Sequence, residues 1–180
     1  MRKKWLNAGV LVGMLSAGPM LAVAVPAQAG EVQSAIGDRA FLEQALRVNQ
    51  LELRLGELAA DRGASPDVRS MGQTMVKNHT ALGRQLADLS IQSGGSANVV
   101  LTSDQQATFD RVAAQSGSAF DGVFKQTVDA GHVKELAMYR DEVGRATNPQ
   151  LRELADRRVT KLQETVAKAD PPKAKKKRDW

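Results

Sequence analysis

Leu51-Glu52-Leu53-Arg54-Leu55-Gly56-Glu57-Leu58-Ala59-Ala60-Asp61-Arg62-Gly63-Ala64-Ser65-Pro66-Asp67-Val68-Arg69 is the stretch that decides the fold. Its first half repeats apolar residues at helical spacing, and Gly63 marks the stop. Two residues later, Ser65-Pro66-Asp67 supplies an N-cap oxygen, a proline where no N–H is needed, and an acid facing the positive end of a helix dipole. One helix ends and the next begins within four residues. That is the turn of a helical hairpin.

Outward from this turn the same signals recur. Asp38 is placed to cap the first helix, which runs to about Arg62, and the second extends to about Gln92. The polar run Ser93-Gly94-Gly95-Ser96-Ala97-Asn98 is the long loop. Ser103 with Gln106 reads as a capping box opening a short helix to about Gln115. After the Ser116-Gly117-Ser118 break, a long helix is expected from Ala119 to about Arg145. Asn148-Pro149 then repeats the cap-plus-proline device for a last helix ending near Ala169. Val99-Val100-Leu101 is too short and isolated to make a sheet.

The expected fold is therefore all-α: a four-helix bundle of two hairpins plus a short extra helix. Ser65-Pro66-Asp67-Val68-Arg69 and Asn148-Pro149-Gln150-Leu151-Arg152 stand at equivalent points of the two hairpins, a register that pairs Glu52 with Glu135.

The two ends differ in composition from the middle. Arg2, Lys3 and Lys4 precede an apolar run from Val10 to Val25 and the small-residue box Ala27-Gln28-Ala29. Residues 1–29 thus read as a signal peptide cleaved after Ala29 and directing export to the periplasm. The domain spans 30–170, and 171–180 form a basic tail expected to be disordered. The net charge of +5 belongs to these ends. Removing the three leader cations and Lys173, Lys175, Lys176, Lys177 and Arg178 from 25 basic residues leaves 17, against 19 acids once Asp179 is set aside. A near-neutral domain with few aromatics is not a nucleic-acid-binding surface. The tail instead fits an anionic envelope surface, consistent with outer-membrane association. With no cysteine in the chain, disulfides and thiolate chemistry are excluded.

Placing each helix at 100° per residue puts several polar groups among the apolar ones. Glu52, with Asn49 beside it, falls in the apolar arc of the first helix. His79 lies inside the stripe of Val68, Met71, Met75, Leu82 and Leu86. His132 follows the line of Phe124, Val128, Leu136 and Tyr139, with Glu135 at its edge. Arg158 sits within the stripe of the last helix. An unpaired charge in such a place costs several kcal/mol, so Glu52, His79, His132, Glu135 and Arg158 are expected to meet in one internal polar cluster.

Two readings of that cluster stand. In the first, no metal is bound, Arg158 is the counter-ion of Glu52 or Glu135, and the histidines are hydrogen-bonding core residues. In the second, Glu52, His79 and His132 form a mononuclear iron or zinc site with open coordination. The paired Glu-x-x-His of di-iron bundles is missing, because Val76 and Asp129 stand three residues before the two histidines. Met71 and Met75, one turn apart, read as core packing rather than a copper(I) site.

Leu51 to Ala59, Met75-Val76-Lys77-Asn78-His79, Phe120-Asp121 and Gly131-His132 together resemble the bacterial family known as domain of unknown function 4142, over about Arg39 to Ala169. The resemblance implies an exported, ferritin-like helical protein with Glu52, His79 and His132 inward, and no established reaction. The chain departs from the family pattern at Asn78, where members carry Asp. It departs again at Arg158-Val159-Thr160 and Thr165, where members tend towards Thr-Leu-Pro and a following His. Losing a ligand position while gaining an inward arginine fits replacement of a metal by a fixed positive charge.

No phosphate loop, zinc-protease helix or nucleophile elbow is present. The expectation is a non-enzymatic periplasmic envelope protein acting by binding or in stress protection. The alternatives are a ferritin-like metal-binding protein and a self-associating structural module that forms a homo-oligomer.

Overall fold

The computed structural model describes residues 27–169. Five helices account for the secondary structure there: α1 (Ala27–Arg62), α2 (Pro66–Gln92), α3 (Ser103–Ala113), α4 (Gly117–Arg145) and α5 (Pro149–Ala169). Among the described residues there is no strand, so the chain is all-helical as expected. Residues 1–26 and 170–180 lie outside the described residues, and with them most of the expected signal peptide and the whole of the expected basic tail.

The hairpin turn forms as its residues dictate. Ser65 Oγ accepts the Val68 N–H at 3.3 Å, and Pro66 opens α2. Gly63 is needed for room rather than for a left-handed backbone. A Cβ there would lie 2.7 Å from the Ala59 carbonyl oxygen. At the second hairpin, Asn148 Oδ1 accepts from the N–H groups of Gln150 and Leu151 at 2.9 and 3.2 Å.

Two expected caps fall elsewhere. The capping box belongs to Thr102 and Gln105, one residue earlier than expected: Gln105 N–H donates to Thr102 Oγ1 and Thr102 N–H to Gln105 Oε1. Ser103 is already helical, and Gln106 Nε2 donates to Asp110 instead. Asp38 does not start α1, which begins eleven residues upstream. Its carboxylate crosses to the α4–α5 turn, accepting from Thr147 N–H at 3.1 Å, Thr147 Oγ1 at 2.8 Å and Asn148 N–H at 2.8 Å. Orphan N–H groups at a helix start take any nearby oxygen, so a sequence does not show which helix a capping residue serves.

α1 lies closest to α2, and glycines set that distance. A Cβ on Gly72 would sit 2.4 Å from Ala60 N and 2.6 Å from the Gly56 carbonyl. α4 pairs with α5, while α3 bridges α1 and α4. The apolar interior is in two parts. One contains Phe41, Leu42, Leu86, Tyr139, Leu151 and Leu162 from all four long helices. The other gathers Leu55, Val68, Met75, Val112, Phe120 and Phe124. Along α1, α2 and α4 the chain passes from one cluster to the other, and the polar residues stand at each crossing.

The close α1–α2 approach predicts a contrast between two glycines. Gly72→Ala should destabilise the fold by about 1–3 kcal/mol through overpacking against backbone. Gly122→Ala, at an exposed α4 position with open space around it, should stabilise it by about 0.5–1 kcal/mol. Urea unfolding of both variants checks this, and equal effects would refute the packing account.

Candidate metal centre

Five side chains from four helices converge between the two apolar clusters: Glu52 from α1, His79 from α2, His132 and Glu135 from α4, and Arg158 from α5. Glu52, His79 and Glu135 are each only 3 % exposed. All five residues singled out from sequence are brought together.

Glu52 is the hub. Its Oε2 lies 3.0 Å from His79 Nε2, 3.9 Å from His132 Nε2 and 3.7 Å from Arg158 Nη2. Oε2 is buried, and its closest neighbour is the His79 ring nitrogen. His132 Nδ1 is likewise buried with no partner.

Asn49, one turn before Glu52, fixes the state of His79. Its Oδ1 lies 3.0 Å from His79 Nδ1. An amide oxygen only accepts, so Nδ1 carries the proton. Nε2 then stands 3.0 Å from the Glu52 carboxylate, a separation that a shared proton or a metal ion can bridge. Asn49 is seated by Gly83, where a Cβ would stand 2.7 Å from the Asn49 amide nitrogen. Sequence reasoning placed Asn49 beside Glu52 but gave neither it nor Gly83 a role.

Arg158 chooses between the two acids. It donates through Nε and Nη2 to the two oxygens of Glu135, both at 2.8 Å. This bidentate pair satisfies Glu135, and Glu52 keeps only the longer 3.7 Å contact. Glu52 makes its closest ionic contact with His79 instead, at 3.0 Å.

The titration properties follow. Burial works to raise the Glu52 carboxyl, yet the His79 ring beside it, then His132 and Arg158, hold it below the ordinary carboxylate range. Burial lowers His132, helped by the positive charge of Arg158, so its ring favours the neutral form a metal ligand requires. Burial, then the charge of Glu52, pushes Glu135 up to about 7 against the pull of Arg158. Arg158 itself is raised: burial opposes its charge, but Glu135 and Glu52 outweigh that. Tyr139 is raised, chiefly by burial and then by Glu135, and its hydroxyl is buried without a partner.

One oxygen of Glu52 and one nitrogen from each histidine all lie within 4.8 Å of one another. Bonds of 2.0–2.1 Å to a tetrahedral ion would separate such donors by about 3.3 Å. The distances of 3.0 and 3.9 Å from Glu52 Oε2 bracket that value. Two imidazoles and a carboxylate are thus gathered closely enough to offer one ligand atom each to a transition-metal ion.

Two further buried acids escaped the helical-wheel reading. Asp38 serves the α4–α5 turn. Glu142 is 1 % exposed, with one oxygen 3.1 Å from Arg145 Nη2 and the other unpartnered. Burial raises its carboxyl. Neither joins the central cluster.

Fold and site together define a helical-hairpin protein with a buried carboxylate–imidazole centre. A family comparison gives the class its label: the chain belongs to the family described as domain of unknown function (DUF4142), whose model matches residues 23–171. Two solved structures share the fold. CopM in a Cu(I)-bound form is 14 % identical with a TM-score of 0.63, covering 73 % of this chain and 91 % of that one. CopM in an Ag-bound form gives 0.61 at the same identity and coverage. No curated protein matches the chain.

Two outcomes test the electrostatics. Arg158→Leu should cost about 3–5 kcal/mol by stranding a buried carboxylate. Adding Glu135→Gln should recover more of that loss than adding Glu52→Gln; the reverse order in denaturant melts would show Glu52 to be the true partner. The second outcome concerns pH. His132 has a lowered pKa in the folded state, so its contribution is present above its unfolded value of 6.5 and is lost as pH falls through the folded one. The stability gap between the metal-free protein and its His132→Gln variant should therefore shrink on acidification below 6.5. A widening gap would mean that His132 is protonated and paired to Glu52.

Proposed function

We propose that the protein is a non-enzymatic, exported metal-holding protein: a ferritin-like four-helix bundle that binds one transition-metal ion through Glu52, His79 and His132. The observation that carries this reading is the Glu52–His79 contact. A buried carboxylate oxygen sits 3.0 Å from an imidazole nitrogen whose partner nitrogen already donates to Asn49. That is the outer-sphere device by which proteins orient a ligating histidine.

Two imidazoles and one carboxylate suit zinc, copper or iron, with at least one coordination position left open. The solved structures of like fold are described as Cu(I)- and Ag-bound, which supports metal handling on this scaffold. A ferritin-like arrangement is supported by the apolar cluster that all four long helices share. A periplasmic or outer-membrane location agrees with the leader-like first 29 residues and the basic tail of Lys173, Lys175, Lys176, Lys177 and Arg178.

One observation favours the rival reading of a self-neutralised network. Arg158 Nη2 stands 3.7 Å from Glu52 Oε2, and a fixed cation there opposes a second one.

Titration of the metal-free protein separates the two. The expected result is uptake of one equivalent of zinc or copper. Melting should rise in step, since free metal at a hundred times Kd adds about 2.7 kcal/mol. Glu52→Ala and His79→Ala should abolish uptake, and Asn49→Leu should weaken it roughly 10- to 100-fold. A wild-type protein whose melting ignores both metals would leave only the network reading.

A further inference from the structure

A cleft of about 520 Å³ opens between α1, α3 and α4, within the size range of small-molecule sites. Neither His79 nor His132 lines it. It meets the polar centre from the other side of Glu52, whose Oε2 is the oxygen turned to the histidines. Oε1 is the oxygen beside Gly131, where an added Cβ would lie 3.4 Å from it. Gly131 lines the cleft. Having no side chain, it puts none between the cleft and Oε1.

Burial sorts the lining into depths. Glu52, Glu135, Leu55 and Val128 are buried and make the floor, while Val48, Leu51 and Met138 are half-buried along the wall. Asp104, Arg111 and Lys134 are exposed and stand at the mouth.

Charge changes with depth. On the floor, Glu135 is already held through both oxygens by Arg158, so the carboxylate oxygen facing an incoming group is Glu52 Oε1. At the mouth two cations stand against one acid, and Asp104 lies in the first turn of α3, where the helix dipole opposes its charge. A simple anion is drawn to the mouth but meets carboxylates below. A simple amine suits the floor but leaves the cationic mouth unmatched. Both levels are matched by a molecule with an ammonium at one end, a carboxylate at the other and methylenes between. The ammonium is the inner end, because attraction to a buried carboxylate is screened far less than repulsion from exposed Arg111 and Lys134.

We infer that this cleft binds a linear ω-amino acid, its ammonium on Glu52 at Gly131, its methylenes along Val48, Leu51 and Met138, and its carboxylate at Arg111 and Lys134. The inference goes beyond the metal reading and does not rest on it, since every group it uses belongs to the chain.

The test is calorimetric titration of the metal-free protein with glycine, β-alanine, γ-aminobutyrate and ε-aminocaproate. Affinity should rise along the series, roughly threefold per methylene, as the chain comes to span floor and mouth. Hexylamine and hexanoate match ε-aminocaproate in length but lack one charged end. Each should bind about tenfold more weakly, having lost one charge-assisted contact. Arg111→Glu combined with Lys134→Glu, both at exposed positions, should reverse the preference in favour of hexamethylenediamine. Glu52→Gln should erase the advantage of ε-aminocaproate over hexanoate. One-ended analogues that bind as tightly as ε-aminocaproate, an unchanged preference in the charge-reversed chain, or no binding by any member would overturn the inference. None of these results bears on metal uptake at the histidine side of Glu52. If a substituted chain fails to fold, the one-ended analogues on the wild-type protein still decide the matter.

Discussion

The structure turns on one constraint: a carboxylate in the middle of a helical core, opposite an imidazole, whose charge must be met by the groups packed around it. Glu52 is packed with His79, His132, Glu135 and Arg158 in a layer between two apolar clusters. A charge so placed is tolerated only when paired. Arg158 spends its two best-aligned donors on Glu135. Glu52 is left to the two histidines, whose Nε2 atoms lie 3.0 and 3.9 Å from its Oε2.

The rest of the architecture serves to hold that layer. Gly56 and Gly72 bring α1 against α2, which carries His79 to Glu52. Gly83 leaves the space for Asn49, which orients the ring of His79. Asp38 ties the start of the bundle to the α4–α5 turn, and that turn helps fix α5 and Arg158 against α4. Several glycines and one misread cap thus bear on the geometry of a single site, although none is part of it.

The helices and their turns were legible because they follow local rules. Ser65-Pro66 and Asn148-Pro149 signal their own helix starts, and the 3.6-residue period marks Glu52, His79, His132 and Arg158 as inward. What escaped was relational. Asp38 has the chemistry of a cap, but the helix it serves lies more than a hundred residues away. Arg158 was bound to meet an acid, and only three-dimensional placement gives it to Glu135. Glu142 is buried on a helix whose apolar line drifts along its length, so its angle on a wheel does not report its burial. The 520 Å³ cleft depends on α3 crossing between α1 and α4, which no single helix encodes.

The fold does not explain the polar layer. At 14 % identity the CopM structures keep the same helical arrangement, so helix packing of this kind survives near-complete exchange of side chains. A bundle can be built with an apolar layer at this height, and replacing buried ion pairs by well-packed apolar groups is often neutral or stabilising. The five groups therefore carry a cost that the architecture itself does not impose. Asn49 adds a further buried polar contact to this layer, its Oδ1 3.0 Å from His79 Nδ1. What the packing alone leaves without a reason is the meeting of Glu52 Oε2 with two imidazole nitrogens at 3.0 and 3.9 Å in the middle of the bundle.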